Sequence, residues 1–147
     1  MLPTQLYFSN AVGSVLFVPG AFAYLHFSGE AMSSQELRAL YVHAANLLTR
    51  HALPGFLADH RAMPAAFEAA DRYWLLNEWL PNAVPLLPPV VRYAVLPSPS
   101  PTRRLHTDEV LRSLTNYLIV NVFEDLESAA NWLKTECEAS RQAGIAA

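Results

Sequence analysis

Three short runs of aromatic and β-branched residues open the chain, and helical and apolar segments alternate after them. The runs are Thr4–Asn10, Ser14–Pro19 and Phe22–Ser28, and turn-forming residues separate them at 10–13 and 19–21. Short strands joined by tight turns pair antiparallel, whereas strands joined by helices pair parallel. The order of segments therefore predicts an antiparallel meander that continues into a parallel sheet.

Capping and periodicity predict the remaining elements. Ser33 and Glu36 have the spacing of a capping box, and the helix after them is expected to run to about Arg50. A strand at Gly55–Asp59 and a helix over about Ala66–Val84 are predicted next, and Pro81 should bend that helix near its end. The elements predicted after them are a strand at Val90–Leu96, an extended loop at Pro97–Pro101, a helix from Thr107 to about Leu118, a strand at Leu118–Val122 and a helix from Asp125 to about Ser140. The order βββαβαβαβα predicts an α/β fold, in one domain over residues 1–147 with a core at about 4–138 and a short C-terminal tail.

Composition narrows the classes of protein. The 147 residues are 52% hydrophobic and 16% charged, which suits one globular domain with a sizeable core. Ten Lys and Arg against thirteen Asp and Glu disfavour a nucleic-acid partner. Cys137 is alone, so no internal disulfide is expected. The start of the chain lacks the cationic region of a signal peptide, and no apolar run is long enough to cross a membrane. These features predict a cytoplasmic protein without membrane insertion.

The sharpest candidate site is the sequence Asp59-His60-Arg61 at the end of a predicted strand. Open α/β sheets bind ligands at the carboxyl ends of their strands, so we expect these residues to bind a ligand or partner. The structural alternative is that Asp59 accepts backbone hydrogen bonds in the turn while Arg61 pairs with a nearby helix carboxylate. With an ordinary pKa, His60 would titrate near neutrality.

No pattern of an enzyme or a metal site occurs. The histidines at positions 26, 43, 51, 60 and 106 are scattered, and none has metal-ligand spacing to a Cys or a second His. No nucleophile accompanies His60, and no phosphate-binding loop or dinucleotide fingerprint is present. Asp71 and Glu78 lie two turns apart on one helix, a spacing more typical of solvated carboxylates than of a catalytic pair. We therefore predict a protein that is not an enzyme and binds no cofactor or metal.

The second predicted helix carries more apolar surface than one buried stripe needs. Trp74, Leu75 and Trp79, with Leu76 between them, spread over a wide arc. We expect part of this arc to bind a second copy of the chain, another protein or an apolar small molecule. The alternative is that the segment Pro85–Pro89 folds back and covers it.

Three stretches carry a resemblance to a known family: residues 57–61, residues 71–74 continuing to 78–81, and residues 123–127 with Ala129 and 132–133. The chain resembles the SpoIIAA-like, or STAS/SEC14-type, bacterial family from Leu6 to about Leu133. The resemblance implies a small α/β sandwich with helices packed on a sheet. Better-known relatives are anti-sigma factor antagonists, in which a partner kinase phosphorylates a Ser at the start of a helix. Here the matching stretch, Arg61–Ala66, has no hydroxyl group.

Residues and resemblance together predict a non-catalytic binding or regulatory module that acts through protein contact, as a homodimer, and lacks the phospho-switch serine. The SEC14 side of the resemblance implies the alternative, a small carrier that binds an apolar or lipid-like ligand in a groove beside the second helix. A third, more distant hypothesis is an enzyme built on Asp59, His60 and Arg61.

Overall fold

The computed structural model describes residues 3–135, apart from the side chains at 106 and 107. Six strands form one sheet in chain order: β1 (Gln5–Ser9), β2 (Gly13–Val18), β3 (Phe22–Phe27), β4 (Gly55–Asp59), β5 (Arg92–Leu96) and β6 (Ile119–Val122). Strands β1 to β3 pair antiparallel, and β3 to β6 pair parallel. The mixed α/β sheet with an N-terminal meander is therefore confirmed.

Helices connect the parallel strands, and one further helix follows the last strand. Helix α1 (Ser34–Arg50) lies between β3 and β4. Between β4 and β5, α2 (Ala69–Trp74), a π turn (Leu75–Trp79), α3 (Leu80–Ala83) and a 3₁₀ turn (Val84–Leu86) follow one another without a break. Helix α4 (Pro101–Leu114) precedes β6, and α5, described over residues 126–135, follows it. We call the continuous segment from Ala69 to Leu86 the second helix. Its predicted start at Ala66 is three residues early, because residues 64–68 form a loop.

The helices form two layers. Helices α1 and α4 and the second helix share one core cluster with the sheet residues Ala23, Leu25, Phe56, Ala58, Tyr93 and Val95. The alternate sheet residues, among them Phe22, Leu57 and Ala94, instead share a cluster with α5. Gly55 permits a close approach of α5, because a Cβ atom there would lie 3.2 Å from Leu133 and 2.9 Å from Phe22 Cβ.

Pro81 explains the π turn in the second helix. Proline has no N–H, and its ring clashes with the carbonyl four residues earlier in a regular helix. Here the helix widens over Leu75–Trp79, and Leu80 N–H donates to the carbonyl of Leu75. The helix therefore accommodates Pro81 through the π turn that lies just before it.

The helix before β6 begins earlier than its predicted start at Thr107. Ser100 is the N-cap, its Oγ accepts a hydrogen bond from Arg103 N, and Pro101 occupies the first helical position. Proline suits that position because its missing N–H has no partner in the first turn anyway. The prediction of an extended loop at Pro97–Pro101 was therefore wrong at its last residue.

Asp125 caps α5 as predicted: its Oδ1 accepts from Ser128 N at 2.8 Å. The predicted end of that helix at Ser140 and the C-terminal tail lie outside the described residues. Among residues 3–135, no helix is both long and apolar enough to span a membrane.

Candidate functional site

The sequence Asp59-His60-Arg61 lies at the carboxyl edge of the parallel strands. Asp59 is the last residue of β4, in register with His26 on β3 and Leu96 on β5. An open cleft of about 400 Å³ lies beside it, lined by Tyr24, His26, Phe27, Asp59, Arg61 and Ala62. The strand alternation places Tyr24 and Asp59 on the sheet face that α5 covers.

Asp59 accepts four hydrogen bonds although its side chain is only 7% exposed. Arg61 supplies three: its Nη2 lies 2.8 Å from Oδ2, and its Nε and backbone N lie 3.0 and 3.1 Å from Oδ1. The Tyr24 hydroxyl donates the fourth to Oδ2 at 3.0 Å. The backbone bond agrees with the structural alternative for Asp59, but Arg61 pairs with Asp59 itself and not with a helix carboxylate.

These contacts shift the protonation equilibria in opposite directions. Burial alone would raise the pKa of the Asp59 carboxyl, but hydrogen bonds from Arg61 and Tyr24 and the charge of Arg61 lower it below its ordinary value. Burial, followed by the charge of Asp59, raises the pKa of Tyr24 to about 12. Near neutral pH the cluster therefore contains a carboxylate, a guanidinium and a neutral phenol.

His60 points away from this cleft, into the core. Its ring packs edge-on to Phe27, with the ring centroids 5.7 Å apart, and lies 5.9 Å from the ring centroid of Phe67. Neither ring nitrogen has a hydrogen-bond partner among the described residues. Burial lowers the pKa of His60 to about 4. The expectation that His60 titrates near neutrality was therefore wrong, because the ring is enclosed by apolar neighbours.

The second helix buries two of the three residues expected at a contact surface. Leu75 and Trp79 are buried, and Trp79 Nε1 donates to the Tyr41 carbonyl of α1 at 2.7 Å. The Trp79 ring also packs edge-on against the Tyr41 ring, with the two ring centroids 5.3 Å apart. Most of the surface of Leu75 and Trp79 is therefore used for contacts within the chain, because α1 packs across this arc. Trp74 remains half-buried at the surface.

A polar cluster that the sequence patterns did not predict joins α1 to the second helix. Asp71 is 5% exposed; it accepts from Ser34 Oγ and from Arg38 Nε, both at 3.0 Å. Arg38 Nη2 lies 3.4 Å from the Ala70 carbonyl, and the guanidinium lies 5.2 Å from the Trp74 ring centroid. Asp71 is therefore not a solvated carboxylate. Its partners are 37 and 33 residues away in the chain, so no local pattern could have revealed it.

An apolar groove runs along the surface between α1 and the second helix. It has a volume of about 240 Å³, and Glu78 is the only charged residue among the nine that line it. Val42 and Leu86 lie in its wall and are 44% and 66% exposed. In the same interface, a second cavity beside Arg38 and Asp71 measures only about 10 Å³.

Comparisons of the chain with family models, with curated proteins and with solved structures give no match. Within the part of the chain that the structure describes, no group of three or more His, Cys, Asp or Glu side chains could hold a metal ion.

Proposed function

We propose that the chain is a non-catalytic binding module that acts through protein contact at the groove between α1 and the second helix. The observation that carries this proposal is the composition of the groove, where one charged residue, Glu78, stands among nine lining residues. Depletion of charge distinguishes the centre of a protein interface from the remaining surface. Trp74 and Trp79 contribute aromatic side chains to its lining.

The proposed partner is a second copy of the chain. An apolar groove on one surface is buried by closed two-fold pairing without open-ended association. The resemblance to the SpoIIAA-like family supports a small α/β binding domain of this kind, and the strand order of meander followed by parallel strands is compatible with it. The proposed location is the cytoplasm, supported by the lone Cys137, and a formal charge of −3 does not favour nucleic acid as the partner.

Two competing functions receive less support. A carrier needs a small-molecule pocket, which usually measures about 300–1,000 Å³. The groove is smaller and open, and a second cavity between the same two helices measures about 10 Å³. An enzyme built on Asp59, His60 and Arg61 would need a free acid or base, but Asp59 is occupied by Arg61 and Tyr24, and His60 faces the core.

Sedimentation velocity with a matched pair of variants tests the proposal. Leu86→Asp places a charge in the groove wall, whereas Leu6→Asp places one on β1, and the two leucines are similarly exposed at 66% and 63%. We expect the native protein and Leu6→Asp to be dimers at about 10 μM and Leu86→Asp to be a folded monomer. A monomeric native protein, or two variants that dissociate equally, would contradict the proposed dimer.

A further inference from the structure

We propose that the cleft at the carboxyl ends of β3 and β4 binds an oxyanion of a small molecule, a carboxylate or phosphate group, through the free edge of Arg61. This inference goes beyond the proposed function, because the cleft at the carboxyl edge of the strands and the groove between α1 and the second helix share no lining residue. Each can therefore fail without the other.

The first argument is the unused hydrogen-bonding capacity of Arg61. Asp59 takes Nε and Nη2 on one edge of the guanidinium. The Tyr24 hydroxyl also interacts with the guanidinium, but the hydrogen bonds of the described residues pair no carboxylate or carbonyl with the other edge, which is formed by Nη1 and the second N–H of Nη2. The side chain is 45% exposed, and it lines the cleft. Two parallel N–H groups on a planar edge are the usual arginine arrangement for binding a carboxylate or phosphate.

The second argument is that this arginine is already held in place. Asp59, which fixes it, is anchored by the Tyr24 hydroxyl and by Arg61's own backbone N–H. A guanidinium that is oriented before binding loses less side-chain freedom when a ligand arrives. Asp59 thus acts as a positioning residue, and Arg61 is the residue that would contact the ligand.

The third argument is the shape and chemistry of the cleft. Its volume of about 400 Å³ falls within the range of small-molecule sites. Tyr24, Phe27 and Ala62 provide apolar wall on which the carbon part of a small acid can pack. His26, which is in register with Asp59 on the next strand, adds a ring N–H donor to the same wall.

Nearby negative charge makes a specific prediction about affinity. Hydrogen bonds from Ser128 are the main cause of the lowered pKa of Asp125, and the charge of Arg61 contributes to it, so Asp125 lies within electrostatic range of Arg61. Because Asp59 already balances Arg61, the charge of Asp125 opposes an incoming anion. We therefore expect dissociation constants of about 1–10 mM and tighter binding when Asp125 is neutral.

An NMR titration with two probes, sodium acetate and sodium phosphate, tests the site at pH 7 and at constant ionic strength set with sodium chloride. We expect saturable shifts at the Arg61 backbone and Nε–H and at Ala62. Saturation by acetate identifies a carboxylate site, and saturation by phosphate identifies a phosphate site; either result supports the proposal. Linear shifts with both probes up to about 50 mM would overturn it.

Three variants locate the binding edge. Arg61→Lys keeps the charge but loses the parallel N–H groups, so the dissociation constant should rise about tenfold or more. Arg112→Gln, at the exposed last turn of α4, removes one positive charge elsewhere and should bind like the native protein. Asp125→Asn keeps a capping side chain and should tighten binding about two- to threefold. Equal affinities in Arg61→Lys and Arg112→Gln would overturn the proposal. If Arg61→Lys does not fold, an unchanged affinity in Asp125→Asn would overturn the proposal instead.

Discussion

Asp59 and Asp71 are two buried carboxylates with the same exposure and the same type of partner, yet their surroundings differ. Each residue is 5% exposed and bound to an arginine, at 2.8 Å for Arg61 and 3.0 Å for Arg38. Arg61 follows Asp59 by two residues and faces a cleft of about 400 Å³. Arg38 comes from another helix and borders a cavity of about 10 Å³.

The difference shows what an ion pair contributes in each place. The Arg38 guanidinium that pairs with Asp71 makes contacts on several sides, because it also donates to the Ala70 carbonyl and lies over the Trp74 ring. The pair closes the interface between two helices. At Asp59 the partners come from one turn and one neighbouring strand, and one edge of Arg61 remains open. We call the surroundings of Asp71 the closed region and those of Asp59 the open region.

The largest expected effect comes from breaking the aromatic core next to the closed region, where Trp79 packs on Tyr41. Trp79→Ala removes a buried ring and its hydrogen bond to the Tyr41 carbonyl, so the free energy of unfolding should fall by about 4 kcal/mol. Urea denaturation followed by circular dichroism measures the loss. Trp132→Ala is the control, because Trp132 on α5 is only half-buried and should cost less than half as much. Equal losses in the two variants would contradict the assignment of Trp79 to the core.

The same contrast explains which parts of the fold could be predicted from the sequence. Strands, turns and the α1 capping box are local patterns, and β1 to β6 and α1 were found close to their expected places. In the open region, the hydrogen bond from the Arg61 backbone N–H to the Asp59 carboxylate could also be predicted, because the two residues are only two positions apart in the chain.

Contacts between distant segments could not be predicted. The arc of Trp74, Leu75 and Trp79 looked too wide for one buried stripe, because nothing in the sequence shows that α1 packs across it as well. The burial that lowers the pKa of His60 also depends on a residue distant in the chain, because Phe27 on β3 packs edge-on against the ring. Such burial follows from tertiary packing, and a single sequence carries no local signal of it.

A second prediction breaks the ion pair of the closed region. Arg38→Ala leaves the Asp71 carboxylate buried with the Ser34 hydroxyl as its remaining donor among the described residues, so stability should fall by about 3 kcal/mol. Denaturation in urea at pH 7 measures this loss. Arg104→Ala is the matched control, because its pair with Glu124 is exposed and should contribute far less to stability. A similar small loss for both arginines would show that burial of Asp71 does not require Arg38.

The third prediction concerns acid stability at the boundary of the open region. His60 has a folded pKa of about 4 and an ordinary value of 6.5, so the unfolded chain binds the proton more readily between these values. The stabilising contribution of neutral His60 is fully present above pH 6.5 and is lost as the pH falls towards 4. Lowering the pH from about 7 to about 5 should cost about 2 kcal/mol from this residue.

His60→Leu is the variant that isolates this effect. Leucine has a similar volume and no titratable group, so the variant should lose about 2 kcal/mol less stability between pH 7 and pH 5 than the native protein. Parallel urea titrations at the two pH values give the comparison. Identical pH dependence in both proteins would contradict a buried, neutral His60.

The smallest expected effect distinguishes the positioning of Asp59 from the anion-binding edge of Arg61. Tyr24→Phe removes one of the four hydrogen bonds to Asp59 and should lower stability by about 1 kcal/mol at pH 7. Because that bond helps lower the pKa of Asp59, the variant should also have a higher Asp59 pKa and begin to lose stability at a higher pH during acidification. Both bonds between the Arg61 side chain and Asp59 remain, so acetate and phosphate should bind this variant only slightly more weakly than the native protein and much more tightly than Arg61→Lys. Thermal melts from pH 7 to pH 3 and the same NMR titration check the two expectations separately. If stability is unchanged but anion affinity falls, the Tyr24 hydroxyl belongs to the binding surface and does not anchor Asp59.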